Sequence, residues 1–323
     1  MNLQCTLCPR LCLLAPGQCG YCRVRINLDA KVRALTFARP VALHLDPMEK
    51  KPLYHFLPAT TILSLATVGC NLHCINCQNW QISQANPWDS EAYHLEPEAL
   101  VALTIERQAP SIAYTYTEPL VFYEYTLACA RAARAQGIYN VLVSAAYINP
   151  EPLAQLLPWI DAANIDLKAM DDTFYQRICD ATLWPVLDAL IAIKAAGVWL
   201  EVTNLLIPTL NDSNPAIAEL CRWVVTNLGP DTPIHFSAFT PRYKLQNLPR
   251  TPAATLLRAR DIARDAGIHH VYLGNLLLEE ANHTYCPHDN TLLIQRRGFQ
   301  ILANHLDQGR CPTCLTPCPG KWS

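Results

Sequence analysis

The chain is poor in charge: Lys, Arg, Asp and Glu make up 16% of its 323 residues, against roughly 25% in ordinary soluble domains. Its net charge of -2 carries no basic excess of the kind that nucleic acid or an anionic membrane surface selects. No stretch approaches the run of about eighteen apolar residues that a membrane span needs. The opening Met1-Asn2-Leu3-Gln4-Cys5 has no basic segment leading into an apolar one. These absences predict a cytoplasmic protein that is neither secreted nor membrane-spanning. Internal repeats and low-complexity linkers are missing as well, and the prolines are spread over caps and loops, which argues against a disordered tail.

Apolar residues account for 51% of the chain, enough for a large core. The length suits two domains, or one α/β barrel of about 250 residues with a small appendage. The unusual component is cysteine, at fifteen residues. A chain this long has no need of disulfide staples. Five cysteines crowd the start (Cys5, Cys8, Cys12, Cys19, Cys22), three follow at Cys70, Cys74 and Cys77, and four close the chain (Cys286, Cys311, Cys314, Cys318). Spacings of two and three let neighbouring thiolates converge on one centre, so these groups read as metal or iron-sulfur ligands. Cys129, Cys179 and Cys221 stand alone and read as small buried hydrophobes.

Between the cysteine groups, short β-branched apolar runs alternate with longer amphipathic segments, the signature of βα repetition. Strands are predicted at 62–67, 112–116, 141–144, 164–167, 199–204, 234–239 and 270–273. Predicted helices carry their own stops: 119–136 before Gly137, 175–196 before Gly197, and 251–266 before Gly267. Polar residues recur where strands end: Thr117-Glu118, Asp166 and Lys168, Thr203-Asn204, His235 and Ser237, Gly274-Asn275. In a parallel barrel all these ends meet on one face, where active sites are built. The predicted class is therefore α/β, a partial or full TIM-like (β/α) barrel with small cysteine-rich, metal-binding modules at both ends.

The central group is a C-x3-C-x2-C loop placed directly after the first predicted strand. Three thiolates on a [4Fe-4S] cube leave one iron open to a ligand, whereas four close it for electron transfer alone. A zinc knuckle, or a cluster taking a fourth cysteine from elsewhere, uses the same spacing. The loop resembles that of radical S-adenosylmethionine enzymes. The resemblance implies that the open iron binds the methionyl amino and carboxylate groups. One-electron reduction then splits the sulfonium to methionine and a 5'-deoxyadenosyl radical, which abstracts hydrogen.

Thr117-Glu118-Pro119 resembles the Gly-Gly-Glu-Pro turn of the activase type, in which the carboxylate meets an ammonium. Asp166-Leu167-Lys168 resembles the Asp-x-Lys of pyruvate formate-lyase activating enzyme, and Lys168 is then a partner for the cofactor's carboxylate. By the same likeness Ser144 and Asn275 lie near the cofactor. Stretches along nearly the whole chain are similar to the radical proteins of the AmmeMemoRadiSam system: Cys5-Thr6-Leu7-Cys8-Pro9-Arg10, Glu49 to Phe56, Cys77-Gln78-Asn79-Trp80, Leu206-Ile207-Pro208, and Val271 to Asn275. Two positions depart from the pattern. Asn76 replaces an aromatic residue expected near adenine, and Ala145-Ala146 stands where Asn-Gly is usual.

The resemblance aligns Cys5, Cys8, Cys12 and Cys22 as one four-thiolate set, with Cys19 left over. Zinc and an auxiliary [4Fe-4S] cluster fit the spacing equally well. At the other end Cys286, Cys311 and Cys314 look like a zinc ribbon short of one ligand. Asp289 occupies the missing position, and His288, Asp289 or Cys318 are candidates to complete it. The expected division is an N-terminal module at 1–58, a radical barrel at 59–277 and a ribbon-like module at 278–323.

The implied activity is reductive cleavage of S-adenosylmethionine for hydrogen abstraction from a partner protein or a small molecule. A flavodoxin or ferredoxin would be the reductant, and MEMO-like or AMMECR-like proteins the partners; nucleic acid and membrane are not expected. The competing reading is a non-catalytic metal-binding or electron-carrier protein on the same fold.

Overall fold

The computed structural model describes residues 1–276, 278 and 280–323. Two small hairpins come first: β1 (Leu3–Gln4) with β2 (Leu13–Leu14), and β3 (Arg25–Leu28) with β4 (Lys31–Ala34). An eight-stranded sheet follows, made of β5 (Ala42–Pro47), β6 (Thr61–Ala66), β7 (Ser111–Tyr114), β8 (Tyr139–Ser144), β9 (Ala162–Asp166), β10 (Trp199–Leu206), β11 (Ile234–Ala238) and β12 (Val271–Gly274). The strands lie in chain order, and every neighbouring pair is parallel except the antiparallel β5–β6. The sheet ends at β5 and β12, so the barrel is partial rather than full. All seven predicted strands are present, their ends within two residues of expectation. β5 is an addition, drawn from the stretch assigned to the N-terminal module; its half-exposed edge position gives it no continuous apolar run. The parallel strands are buried on both faces, so that polar residues within them, such as Ser111 and His235, are interior as well.

The connections carry α1 (Trp80–Ser83), α2 (Pro97–Glu106), α3 (Tyr123–Ala135), α4 (Pro150–Leu156), α5 (Asp172–Phe174), α6 (Trp184–Ala195), α7 (Asn214–Leu228) and α8 (Ala253–Asp265). The predicted stops at Gly137, Gly197 and Gly267 all take positive φ. Two predicted starts shift. The helix expected from 119 begins at Tyr123, because residues 119–122 form a turn in which Leu120 N donates to the Glu118 carboxylate at 3.2 Å. The helix expected over 175–196 is broken: Tyr175–Cys179 winds as one wide turn, Asp180 turns left-handed at φ 52°, and α6 restarts at Trp184-Pro185. Asp172 Oδ1 accepts Leu183 N at 2.8 Å and fixes the break.

The concave side of the sheet is filled in layers. At its base, Leu53, Phe56 and Leu57 pack against Ile62, Ala113, Val141 and Ala162. Glu201 holds this plug by its backbone, accepting Tyr54 N at 2.9 Å and His55 N at 2.8 Å. It also accepts Trp199 Nε1 at 3.0 Å and pairs with His235 Nε2 at 2.6 Å, all in the interior. The C-terminal strands β13 (Thr284–Tyr285), β14 (Leu292–Arg297) and β15 (Gln300–Asn304) form an antiparallel sheet that docks under the plug. Arg296 Nη2 donates to Tyr54 O at 2.8 Å, and the Lys321 backbone exchanges hydrogen bonds with His55 and Leu57 at 2.7 Å each. The expected boundary at 277 falls outside the described residues. Among the described residues no helix is long and apolar enough to cross a membrane.

Candidate active site

The C-x3-C-x2-C loop leaves the end of β6. Gly69 has φ 94°, and a Cβ there would stand 2.2 Å from Val24 Cγ2 and 2.7 Å from Cys22 O, so only glycine lets the N-terminal module press this close. The loop backbone is pinned independently of its thiols. His73 N donates to Cys179 O at 3.0 Å, Ile75 N to Ile178 O at 2.9 Å, and Ile75 O accepts Lys244 N and Leu245 N at 3.0 Å each. Leu72 N points at Cys70 Sγ from 3.3 Å, and Ser83 Oγ on α1 lies 3.3 Å from Cys77 Sγ.

None of the fifteen cysteines is in a disulfide. Burial pushes the Cys70 and Cys77 thiols up. Cys74 is drawn down, mainly by a hydrogen bond from Cys179. Cys179 is thus buried as expected but is more than a small hydrophobe, since the wide turn after α5 sets its thiol against a member of the triad. That proximity depends on the helix break, which the residue pattern did not announce.

Cys74, Asn76 and Cys77 line a cavity of about 330 Å³ at the carboxyl ends of the strands. Asp166, Lys168, Thr203, Ser237 and Asn275 face it from β9 through β12, so strand-end residues far apart in sequence share one space. Lys168 Nζ holds Asp166 Oδ2 at 2.9 Å. Burial disfavours the Lys168 ammonium, but Asp166 and the thiols of Cys74 and Cys179 outweigh it and raise its pKa. Asn275 donates to Ala238 O at 3.2 Å.

Thr117, Glu118 and Ser144 gather beside this cavity without lining it. Thr117 Oγ1 donates to Thr67 O at 2.8 Å. Glu118 is fully buried, which raises its pKa, and accepts Ser144 Oγ at 2.6 Å and Ala145 N at 3.0 Å. Its carboxylate therefore ties the ends of β7 and β8 together, where the resemblance implied a carboxylate turned to an ammonium.

Ala146, at the position where Asn-Gly is usual, takes a left-handed φ of 53°. A Cβ in that region costs about 1–2 kcal/mol. Ala146→Gly should therefore raise stability by about 0.5–1 kcal/mol once glycine's looser unfolded state is included; denaturant melts of the two proteins measure this.

A buried ion pair near the cavity had no signal beyond the run Glu49-Lys50-Lys51-Pro52. Lys51 is 2% exposed, its Nζ donates to Asp46 Oδ2 at 2.6 Å, and the Tyr116 hydroxyl donates to the same carboxylate. Burial lowers Lys51 to about 8, with Asp46 resisting. Tyr116 and the adjoining Pro52 line the cavity.

The outer cysteines differ in spacing. Ligand atoms of Cys286, Asp289, Cys311 and Cys314 all lie within 4.8 Å of one another, with Cys286 Sγ 3.6 Å from Cys314 Sγ and Cys311 Sγ 3.6 Å from Asp289 Oδ2. Asp289 thus takes the place in this quartet for which His288 and Cys318 were also candidates. Cys318 stands instead with His55 and His270. Cys5, Cys8, Cys12 and Cys22 surround a separate enclosed pocket, with Cys19 outside it.

An open parallel sheet whose first parallel strand leads into a three-thiol loop beside a cavity ringed by strand-end polar groups defines a radical SAM domain, and the Radical SAM superfamily matches residues 64–221. The chain carries a domain of this superfamily and belongs to one family with an uncharacterized protein of Methanocaldococcus jannaschii, to which it is 42% identical over 97% of its own length and 94% of that protein's. It is also similar to the pyruvate formate-lyase-activating enzyme of Clostridium pasteurianum, at 24% identity over 50% of this chain and 67% of the other. The crystal structure of Streptococcus suis SuiB bound to S-adenosylmethionine shares the fold, with a TM-score of 0.51 and 13% identity over 71% of this chain and 53% of that one.

The cofactors of this superfamily are a [4Fe-4S] cluster and S-adenosylmethionine, and the residues present fit both. Two of the three free thiols, Cys74 and Cys77, face a cavity that also holds an ammonium, Lys168, for a carboxylate. Asn76 Oδ1, lining the same cavity, is buried without a partner, an acceptor left for a donor such as an amine or hydroxyl.

Proposed function

We propose that the chain is a radical enzyme related to the activating enzymes, with Cys70, Cys74 and Cys77 as ligands of a site-differentiated [4Fe-4S] cluster. The observation that carries this is the shared cavity: two of the three thiols, the Asp166–Lys168 pair and the partnerless Asn76 oxygen all face one space. When bound, the cluster and cofactor supply one electron to the sulfonium, giving methionine and a 5'-deoxyadenosyl radical that takes a hydrogen atom from the substrate.

The protein's own part is binding and exclusion. Lys168, oriented by Asp166, receives the methionyl carboxylate, and Asn76 accepts from a donor of the cofactor. Asn275 and Ser237 close the side toward β11 and β12. Glu118, Thr117 and Ser144 hold the ends of β6, β7 and β8 in place around the cofactor. The plug at 52–57 keeps water from reaching the cavity through the base of the barrel.

The substrate in this reading is a backbone glycine of a partner protein, or else a small molecule. A flavodoxin or ferredoxin supplies the electron, and MEMO-like or AMMECR-like proteins are the candidate partners. The working division is 1–58, 59–277 and 278–323, with β5 and the plug at 52–57 of the first stretch built into the barrel. Lys168→Ala tests the cofactor site: losing a charge-assisted bond worth about 1.5–3 kcal/mol should weaken S-adenosylmethionine about ten- to a hundredfold in a binding titration, with cluster iron unchanged. Equal affinity in both proteins would contradict the assignment.

In the C-terminal module we assign zinc to Cys286, Asp289, Cys311 and Cys314, because one ion with Zn–S bonds of about 2.3 Å needs its ligands this close. Cys311→Ala should lose about one zinc per chain by metal analysis. Zinc content equal to that of the unaltered protein would refute the site.

A further inference from the structure

We infer that Cys5, Cys8, Cys12 and Cys22 hold a second [4Fe-4S] cluster rather than zinc. Spacing separates the two metals. A single tetrahedral zinc with bonds of about 2.3 Å holds its sulfurs on the order of 4 Å apart. A cube binds each thiolate at a different corner, so its sulfurs stand wider, on the order of 6 Å apart. Among the described residues, the ligand groups drawn within 4.8 Å of one another are the C-terminal quartet and the trio His55, His270 and Cys318. The N-terminal thiols are not drawn in this way, and neither is the Cys70–Cys74–Cys77 triad. The four thiols nonetheless enclose one pocket, so they are gathered around a space rather than around a point.

The lining of that pocket suits an anionic cluster. Arg25 is 8% exposed, and its Nε has no hydrogen-bond partner although its Nη1 holds Glu124 at 2.5 Å. A buried N–H without an acceptor is costly. Arg25 lines the pocket, where a cluster sulfur or the Cys5 thiolate gives it one. Asn71, which directly follows Cys70, lines the pocket too and is held there by its Nδ2, which donates to Tyr147 O at 2.7 Å.

The two thiol groups therefore lie on opposite sides of one short loop. Cys22 O abuts Gly69, Arg10 Nε donates to Asn71 O at 2.7 Å, and Tyr21 stacks on His73 with ring centroids 3.8 Å apart. A one-electron centre here sits directly behind the site of S-adenosylmethionine chemistry.

The test needs no step of the radical reading, because it is done with the inner site removed. The variant Cys70→Ala, Cys74→Ala, Cys77→Ala is reconstituted anaerobically and analysed for iron, sulfide and zinc, with electron paramagnetic resonance after reduction. About four irons with a [4Fe-4S] signal are expected, lost on adding Cys8→Ser and kept on adding Cys19→Ser. Zinc without iron at this site overturns the inference. Should the triple variant fail to fold, Mössbauer spectra of the unaltered protein decide: about eight irons in cubes support it, and about four overturn it.

Discussion

The Cys77→Ala protein, reconstituted without oxygen, is expected to lose about four irons relative to the unaltered protein and to form 5'-deoxyadenosine only at background level. Two thiolates cannot hold a cube against exchange into solution, and the group that faces Cys77 Sγ is the Ser83 hydroxyl, at 3.3 Å. The loop itself should survive. Its backbone bonds run from His73 and Ile75 to residues 178 and 179 and from Ile75 O to 244 and 245, none of them through the Cys77 side chain. Iron analysis, absorbance near 400 nm and a product assay thus read the loss of the centre, and circular dichroism and thermal melts should show a folded chain. Retained iron and retained product together would show that Cys77 is no ligand.

Glu201→Ala should be the most damaging single change to stability. The carboxylate is fully buried and accepts Tyr54 N, His55 N, Trp199 Nε1 and His235 Nε2, so its removal leaves four donors without an acceptor beneath the barrel. Removing one partner of such a buried network costs about 3–5 kcal/mol. In a chain of this size that lowers the melting temperature by on the order of 10 °C.

Glu201 also predicts a pH dependence. Burial pushes its pKa up, but the bond to His235 and the other donors prevail and bring it down to about 2. A carboxylate depressed by folding stabilises the native state above its ordinary pKa of about 4.3, and that contribution fades as pH falls from there toward the folded value. Glu201→Gln should therefore show a shallower loss of stability between about pH 5 and 2 than the unaltered protein. Parallel curves in urea titrations over that range would contradict the role.

The presence of the parallel strands was legible because short β-branched and apolar runs alternate with helices that end on glycines, whereas their order in the sheet was not. The half-exposed edge β5 has no such pattern, so it was missed. The open or closed state of the barrel depends on whether the two edge strands meet, which no local signal encodes. At the site, the triad and the strand-end residues Asp166, Lys168, Thr203, Ser237 and Asn275 carried the message, because parallel topology sends all strand ends to one face.

What stayed hidden depends on long-range placement. Lys51 reads as a surface lysine until Asp46 and Tyr116 are seen around it in the interior. Cys179 reads as core until the broken helix delivers it to Cys74. Glu118 was visible as a strand-end carboxylate, but its engagement by Ser144 and Ala145 was not. The spacing within the outer cysteine groups, too, is set by how the hairpins fold around them.

The most direct test of the account is a single-turnover assay on the anaerobically reconstituted protein with S-adenosylmethionine and a strong one-electron reductant, read by liquid chromatography of the products. The account predicts 5'-deoxyadenosine and methionine in equal amounts, dependent on both reductant and cluster. A fully loaded, reducible cluster that binds S-adenosylmethionine and yields neither product would contradict it.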